Sequence, residues 1–228
     1  MKKAIFFLIL IVLNFNSIAQ RVHKIYLNDK GASVTVGFLL NDNVVLQLKQ
    51  DGSLGEWGVD RYADRPADYM QRSLETYGGR VEYYTQFDNE AFRGKIKYIG
   101  GTLITYYPSY DEQFLVGKIK AIGPININYY SKYDDPSSEG KLKTVGSTTY
   151  GYYSSFDNDA YKGKIKSIGS INVTYYAALD DKLIAGKVKS FNGVPFVYYT
   201  SFDQPQFRGG LKSGNTMQVV NAVTYYIR

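Results

Sequence analysis

Lys118, Lys141 and Lys164 stand 23 residues apart, and each is followed at the same distance by a tyrosine pair that ends in Tyr130, Tyr153 or Tyr176. Tyr107 and Tyr199 extend the tyrosine row by one step at either end. A phenol ring offers an apolar face with a polar tip, and a lysine beside it lays its stem on that face while its ammonium stays wet. Rings beside donors suit sugar rings, and ammonium groups suit acidic glycans or anionic lipid heads. Tyr107, Tyr130, Tyr153, Tyr176, Tyr199, Lys118, Lys141 and Lys164 are therefore the candidate ligand-binding set. The expected partners are an envelope glycan, an anionic surface or another protein. Bases of nucleic acid also stack on such rings, but the export signal described below argues against nucleic acid.

Signatures of catalysis are sparse. His23 is the single histidine and there is no cysteine, so histidine- or thiolate-based metal sites are excluded by count. Nothing pairs His23 with an activated nucleophile, and it reads as a surface residue. No G-x-S-x-G elbow, H-E-x-x-H motif or phosphate-cradling glycine loop occurs. The expectation is a non-enzymatic protein with no cofactor and no metal. An aspartate column remains: Asp88, Asp111, Asp134, Asp157, Asp180 and Asp203. Such oxygen-rich loops fit calcium, but aspartate and asparagine at turns bond their own backbone, and that reading is preferred. The alternatives to a binding protein are a carbohydrate-active enzyme using carboxylates such as Glu82, Asp157 or Asp159, and a purely structural spacer.

The elements that position these residues repeat strictly. Gly94, Gly117, Gly140, Gly163, Gly186 and Gly209 each open a basic phrase such as "GKIKSIG", always 23 residues apart. A third column holds Phe87, Tyr110, Tyr133, Phe156, Leu179 and Phe202, one residue before the aspartates. Self-similarity at this period marks a repeat architecture. Within one unit, "KIKSI" (Lys164 to Ile168) and "INVTYY" (Ile171 to Tyr176) have strand-like composition and flank a glycine turn. Each unit thus reads as a β-hairpin. A loop with an odd number of residues would put Ile165 across from Tyr175 and collect the aliphatic side chains on one face, whereas a two-residue loop would exchange the faces. The odd loop is the expectation.

A stacked solenoid would bring equivalent lysines roughly 4.8 Å apart, as ladders of directly opposed like charge. A meander of hairpins separates them by two strands. The fold class expected is therefore all-β, a repeat array of antiparallel β-hairpins forming an elongated twisted sheet. The period and starts such as "FRGKI" (Phe92 to Ile96) and "YKGKI" (Tyr161 to Ile165) resemble MORN repeats, which implies hairpins laid side by side. The phrase is more similar still to the tyrosine-rich "GKIKSIG" repeats of exported bacterial proteins of unassigned function. In contrast to MORN units, this chain lacks the glycine pairs of the second strand.

Residues 1–19 read as a signal peptide: Lys2 and Lys3, an apolar run from Ala4 to Leu13, then Ser17 and Ala19 before a cut at Gln20. The run is short of the roughly 20 residues that span a bilayer, and no later stretch comes close, so no membrane span is expected in the mature chain. The implied location is periplasmic, or secreted at the cell surface. Two of the 27 basic residues leave with the leader, so 25 face 21 acids, which permits an anionic partner without requiring one. Residues 20–70 read as further hairpins without the 23-residue period, a capping segment at one end of the array. Residues 71–228 read as the repeats, with a longer last unit, to Arg228, closing the other end. Such arrays need atypical ends.

Overall fold

The computed structural model describes residues 20–61 and 74–228. The leader, the boundary near residue 70 and most of the Arg65–Glu75 bridge lie outside the described residues. Strands β1 (Arg21–Leu27), β2 (Val34–Leu39), β3 (Val44–Lys49) and β4 (Leu54–Val59) form an antiparallel meander. From Val81 the chain adds two strands per repeat. These are β5 (Val81–Tyr83), β6 (Ile96–Ile99), β7 (Thr102–Tyr106), β8 (Ile119–Ile122), β9 (Ile125–Tyr129) and β10 (Leu142–Val145), then β11 (Thr148–Tyr152), β12 (Ile165–Ile168), β13 (Ile171–Tyr175), β14 (Val188–Phe191) and β15 (Val194–Pro195). All eleven lie side by side in chain order in one antiparallel sheet. The fold is all-β and built of consecutive hairpins, with equivalent residues two strands apart.

Pro195 has no amide to continue the ladder. The next strands, β16 (Val197–Tyr198) and β17 (Leu211–Ser213), pair only with each other. The last hairpin, β18 (Met217–Val220) and β19 (Val223–Ile227), does not close the far end of the array. It returns to the first meander, where β19 lies parallel to β1 with Lys24 opposite Thr224 and Leu27 opposite Ile227. The result is a six-stranded sheet of order β18-β19-β1-β2-β3-β4 lying over one face of the repeat sheet. Phe38, Leu46 and Leu48 of the small sheet share one core with Ile104, Ile122, Ile165, Ile168 and Phe191 of the large one. The N-terminal segment thus covers a face of the array rather than an end. His23 corrects another expectation: strand alternation turns it inward with Ile25 and Leu27, and it is buried.

The hairpin loop is also not odd. Ile168 pairs directly with Ile171, leaving the two-residue loop Gly169-Ser170, and Ile122 pairs likewise with Ile125. Gly169 takes φ +57°, the left-handed first position of a type II′ turn, where glycine carries no steric cost. The aliphatic side chains nevertheless collect on one face, because each repeat holds a β-bulge. Tyr106 faces Ile119 and Thr105 faces Ala121, so Lys120 has no residue opposite. The same slip occurs at Lys97, Lys143, Lys166, Lys189 and Lys212. One extra residue re-phases the alternation, so Ile165 and Ile168, three apart, are both buried. The second lysine of every basic phrase is the bulged residue.

A bulge frees a backbone amide, and a buried amide needs an acceptor. Turns of the small sheet supply it. Ile119, Leu142, Ile165 and Val188 donate their amides to the carbonyls of Gly52, Gln50, Gly31 and Asp29 at 3.0, 3.1, 3.3 and 2.9 Å. Two turns therefore clamp four consecutive repeats.

Candidate binding surface

The tyrosine pairs divide their work between neighbouring repeats. From Tyr106 on, the first tyrosine of each repeat pair is inward-facing, while Tyr83 on the edge strand is exposed; Tyr106, Tyr129 and Tyr175 donate their hydroxyls to the carbonyls of Ile96, Ile119 and Ile165 at 3.0, 2.7 and 2.7 Å. The second reaches forward. Tyr107, Tyr130, Tyr153 and Tyr176 donate to the carbonyls of Ile127, Tyr150, Val173 and Phe196 at 2.9 to 3.0 Å, each in the next repeat. Their rings meet the next repeat's first tyrosine edge-on, as Tyr107 meets Tyr129 at 6.1 Å. Tyr199 stacks on Phe207 at 5.3 Å.

The lysines are similarly engaged. Lys118, Lys141 and Lys164 donate their ammonium groups to the carbonyls of Gly140, Gly163 and Gly186, each at 2.6 Å. The same groups lie 4.9 to 5.4 Å from the ring centres of Tyr129, Tyr152 and Tyr175. Burial holds all three ammonium pKa values below the ordinary lysine range. Seven of the eight residues singled out from sequence thus serve as links between successive hairpins, and Tyr199 packs on Phe207 in the junction that follows it. The lysines beside the second tyrosines are the bulged ones: Lys120, Lys143 and Lys166 lie 5.0 to 5.4 Å from the rings of Tyr107, Tyr130 and Tyr153.

Glu82 is not brought together with Asp157 or Asp159. Glu82 on β5 pairs with Arg80 at 2.6 Å. Asp159 pairs with Lys162 at 2.7 Å, and Asp157 accepts the Ser154 amide at 2.6 Å. Their junction follows β11, six strands from β5 and so about 29 Å away. A glycosidase pair sits at roughly 5 to 10 Å.

What lies open to water is the third column. Phe87, Tyr110, Tyr133, Phe156, Leu179 and Phe202 are between 81% and 99% exposed. Each occupies the same place in the same tight turn, closed by an amide three residues on, as Asp88 N–H donates to Thr85 O at 3.1 Å and Asp157 N–H to Ser154 O at 3.1 Å. In five of the six turns the aspartate after it ties the turn back, Asp88 accepting the amide and hydroxyl of Thr85 at 2.7 and 2.9 Å and Asp203 those of Thr200 at 2.6 and 2.9 Å; the Tyr110 turn starts at Pro108, which has no amide to donate. These bonds hold the Asp88 and Asp203 carboxyls below the usual range. The aspartate column is engaged in turn closure, as its position between strands implied.

The next residue links one turn to its neighbour. Asn89 accepts the Ser109 amide at 3.0 Å, Asp135 that of Ser155 at 3.1 Å, Asn158 that of Ala178 at 3.0 Å and Asp181 that of Ser201 at 3.0 Å. Hydroxyl bonds from Ser137 and amide bonds from Ser155 bring the Asp135 carboxyl down to about 2. The Phe87 and Tyr110 turns are thus tied together, as are those of Tyr133, Phe156, Leu179 and Phe202, and each presents one bulky apolar side chain. The sequence carried a signal for this: a large apolar residue at the centre of a turn, where glycine, asparagine, aspartate and serine are the usual occupants. No family model matches the chain, and no curated protein or solved structure matches it.

Proposed function

We propose that this chain is an exported, non-enzymatic binding or scaffolding protein of the cell envelope, which holds an extended partner along its repeat array. The observation that carries the reading is the row of six almost fully exposed apolar side chains on locked turns. A large apolar side chain left in water forgoes roughly 1.5 to 3 kcal/mol that burial would supply, so the fold gains little from them. Their recurrence on equivalent turns marks them as a candidate interaction row. The tyrosine and lysine columns on the sheet support the reading differently: they set the spacing and stiffness of the row. The leader-like residues 1–19 support export.

The test is co-sedimentation of the chain from Gln20 onward with purified cell-wall sacculi and with anionic vesicles. The reading expects saturable pelleting with one of them that weakens when Phe87, Phe156 and Phe202 are replaced by alanine. Pelleting indifferent to those replacements, or pelleting with neither when no soluble glycan binds either, overturns it.

A further inference from the structure

The geometry points to an uncharged, β-1,4-linked glycan strand as the occupant of the row Phe87, Tyr110, Tyr133, Phe156, Leu179 and Phe202. This inference rests on the binding reading above and names the class of partner.

Four observations carry it. The first is spacing. Equivalent turns are two strands apart, so successive side chains of the row stand about 10 Å from one another. That is close to the length of a disaccharide in an extended β-1,4-linked chain, in which alternate sugars present the same face. From Phe87 to Phe156 one ring per disaccharide would meet every second pyranose, whose axial C–H groups form an apolar patch suited to an aromatic face; Leu179 offers an aliphatic contact in the same register before Phe202.

The second is the surroundings of the rings. Beside Phe87, Tyr133, Phe156 and Phe202, the residues Thr85, Ser131, Ser154 and Thr200 and their column aspartates place hydroxyl and carboxylate oxygens. A protein–protein interface has a contiguous apolar centre depleted of charge. Here single apolar groups alternate with polar clusters, the pattern that suits a ligand whose own surface alternates C–H faces with hydroxyls.

The third is charge. The bulged lysines lie against the same turns: Lys143 pairs with Asp134 at 3.2 Å and Lys212 approaches Asp203 at 4.0 Å. Opposite charges therefore face each other at the Tyr133 and Phe202 turns. A polyanion or an anionic membrane finds no field of one sign to steer it.

The fourth is rigidity. The Asn89 link ties the Phe87 turn to the Tyr110 turn, and the Asp135, Asn158 and Asp181 links tie the four turns from Tyr133 to Phe202, so these runs are fixed before any ligand arrives. A preformed row avoids the ordering cost that a flexible surface would incur on binding.

The experiment is calorimetric titration of the chain from Gln20 onward with cellohexaose and chitohexaose, their tetramers, and anionic vesicles. The expected result is binding of at least one hexamer, tighter than its tetramer because more rings are engaged and changed less than threefold by raised salt. Which hexamer binds distinguishes a plain from an N-acetylated glycan. Tyr133→Ala with Phe156→Ala should weaken it at least tenfold, whereas Phe156→Tyr should keep it within threefold. Salt-sensitive binding to vesicles alone overturns the inference. So does pelleting with sacculi that depends on Phe156 while neither hexamer binds or competes; the binding reading then stands with a partner of another class. Failure of sacculi, vesicles and hexamers alike overturns both.

Discussion

The backbone amide of Ile165 donates to the carbonyl of Gly31, joining a bulge in the middle of the array to the first turn of the chain. Gly31 holds φ +59°, and a β-carbon there would stand 1.9 Å from the Tyr175 hydroxyl. The turn can approach the array only because residue 31 has no side chain. The repeat sheet and its cover are matched through such contacts and not through apolar burial alone.

Gly31→Ala is therefore expected to destabilise the fold by about 2 kcal/mol or more, from positive φ together with the clash. Gly193→Ala is the control. It also has positive φ, but a β-carbon there meets nothing within 4 Å, so it should cost about 1 kcal/mol. Urea unfolding of both variants measures the difference, and equal losses would contradict the clamp.

Deleting Lys120 should damage the protein far more than replacing it. Lys120→Ala removes one exposed cation–ring contact, worth about 0.5 to 1 kcal/mol. The deletion removes the bulge itself and turns Ile119 or its neighbours toward solvent. Circular dichroism should show a native sheet for the substitution and a lower melting temperature or no folded state for the deletion.

Lys118→Met keeps the stem over Tyr129 and leaves the Gly140 carbonyl without the ammonium donor. A loss of about 1 to 3 kcal/mol is expected, with the folded spectrum retained. No loss in urea unfolding would show that the link between hairpins carries no stability.

Alkali should unfold the protein cooperatively. Burial raises the phenol pKa values of Tyr106, Tyr129, Tyr152, Tyr175 and Tyr198 far above the ordinary 10.0. These groups ionise in the unfolded chain before they ionise in the folded one, so their stabilisation is complete below pH 10 and is lost as pH rises beyond it. Lys118, Lys141 and Lys164, whose values burial lowers, act with the opposite sign but are the less deeply buried set. Tyrosinate absorbance should appear together with loss of sheet signal. Independent titration of the rings with the sheet intact would contradict their burial.

Acid should act at the turns. Asp88, Asp134, Asp181 and Asp203 lie below their ordinary value of 3.8, and Asp135 reaches about 2. Their contribution is present above pH 3.8 and lost as pH falls toward 2. Asp135→Ala should make the acid transition shallower, which an acid titration followed by tyrosine circular dichroism would show.

The fold was legible in the sequence because its regularities repeat. The 23-residue step, the isoleucines and the glycine turns dictate hairpins in series, and the lysine columns disfavour direct stacking. The bulge was not legible, since "KIKSI" reads as plain alternation and an even loop with a bulge sorts the isoleucines as well as an odd loop would. The return of the last hairpin to β1 depends on a non-local pairing that the longer last unit does not announce. At the surface, Tyr130 and Lys141 had the right chemistry for a ligand, yet their polar ends are taken by Tyr150 and Gly163 backbone carbonyls. Phe156 stood in a plain column beside Asp157 and was the more exposed group. Composition shows which side chains can bind, but only the closed turn shows which are left open.

The most direct measurement compares the chain from Gln20 onward with its Phe87→Ala, Phe156→Ala, Phe202→Ala triple variant in urea unfolding and in pelleting with purified sacculi. The account predicts stability within about 0.5 kcal/mol per substitution, as for surface changes, and binding weakened at least tenfold. Unchanged binding, or lost binding that only tracks lost stability, would contradict it.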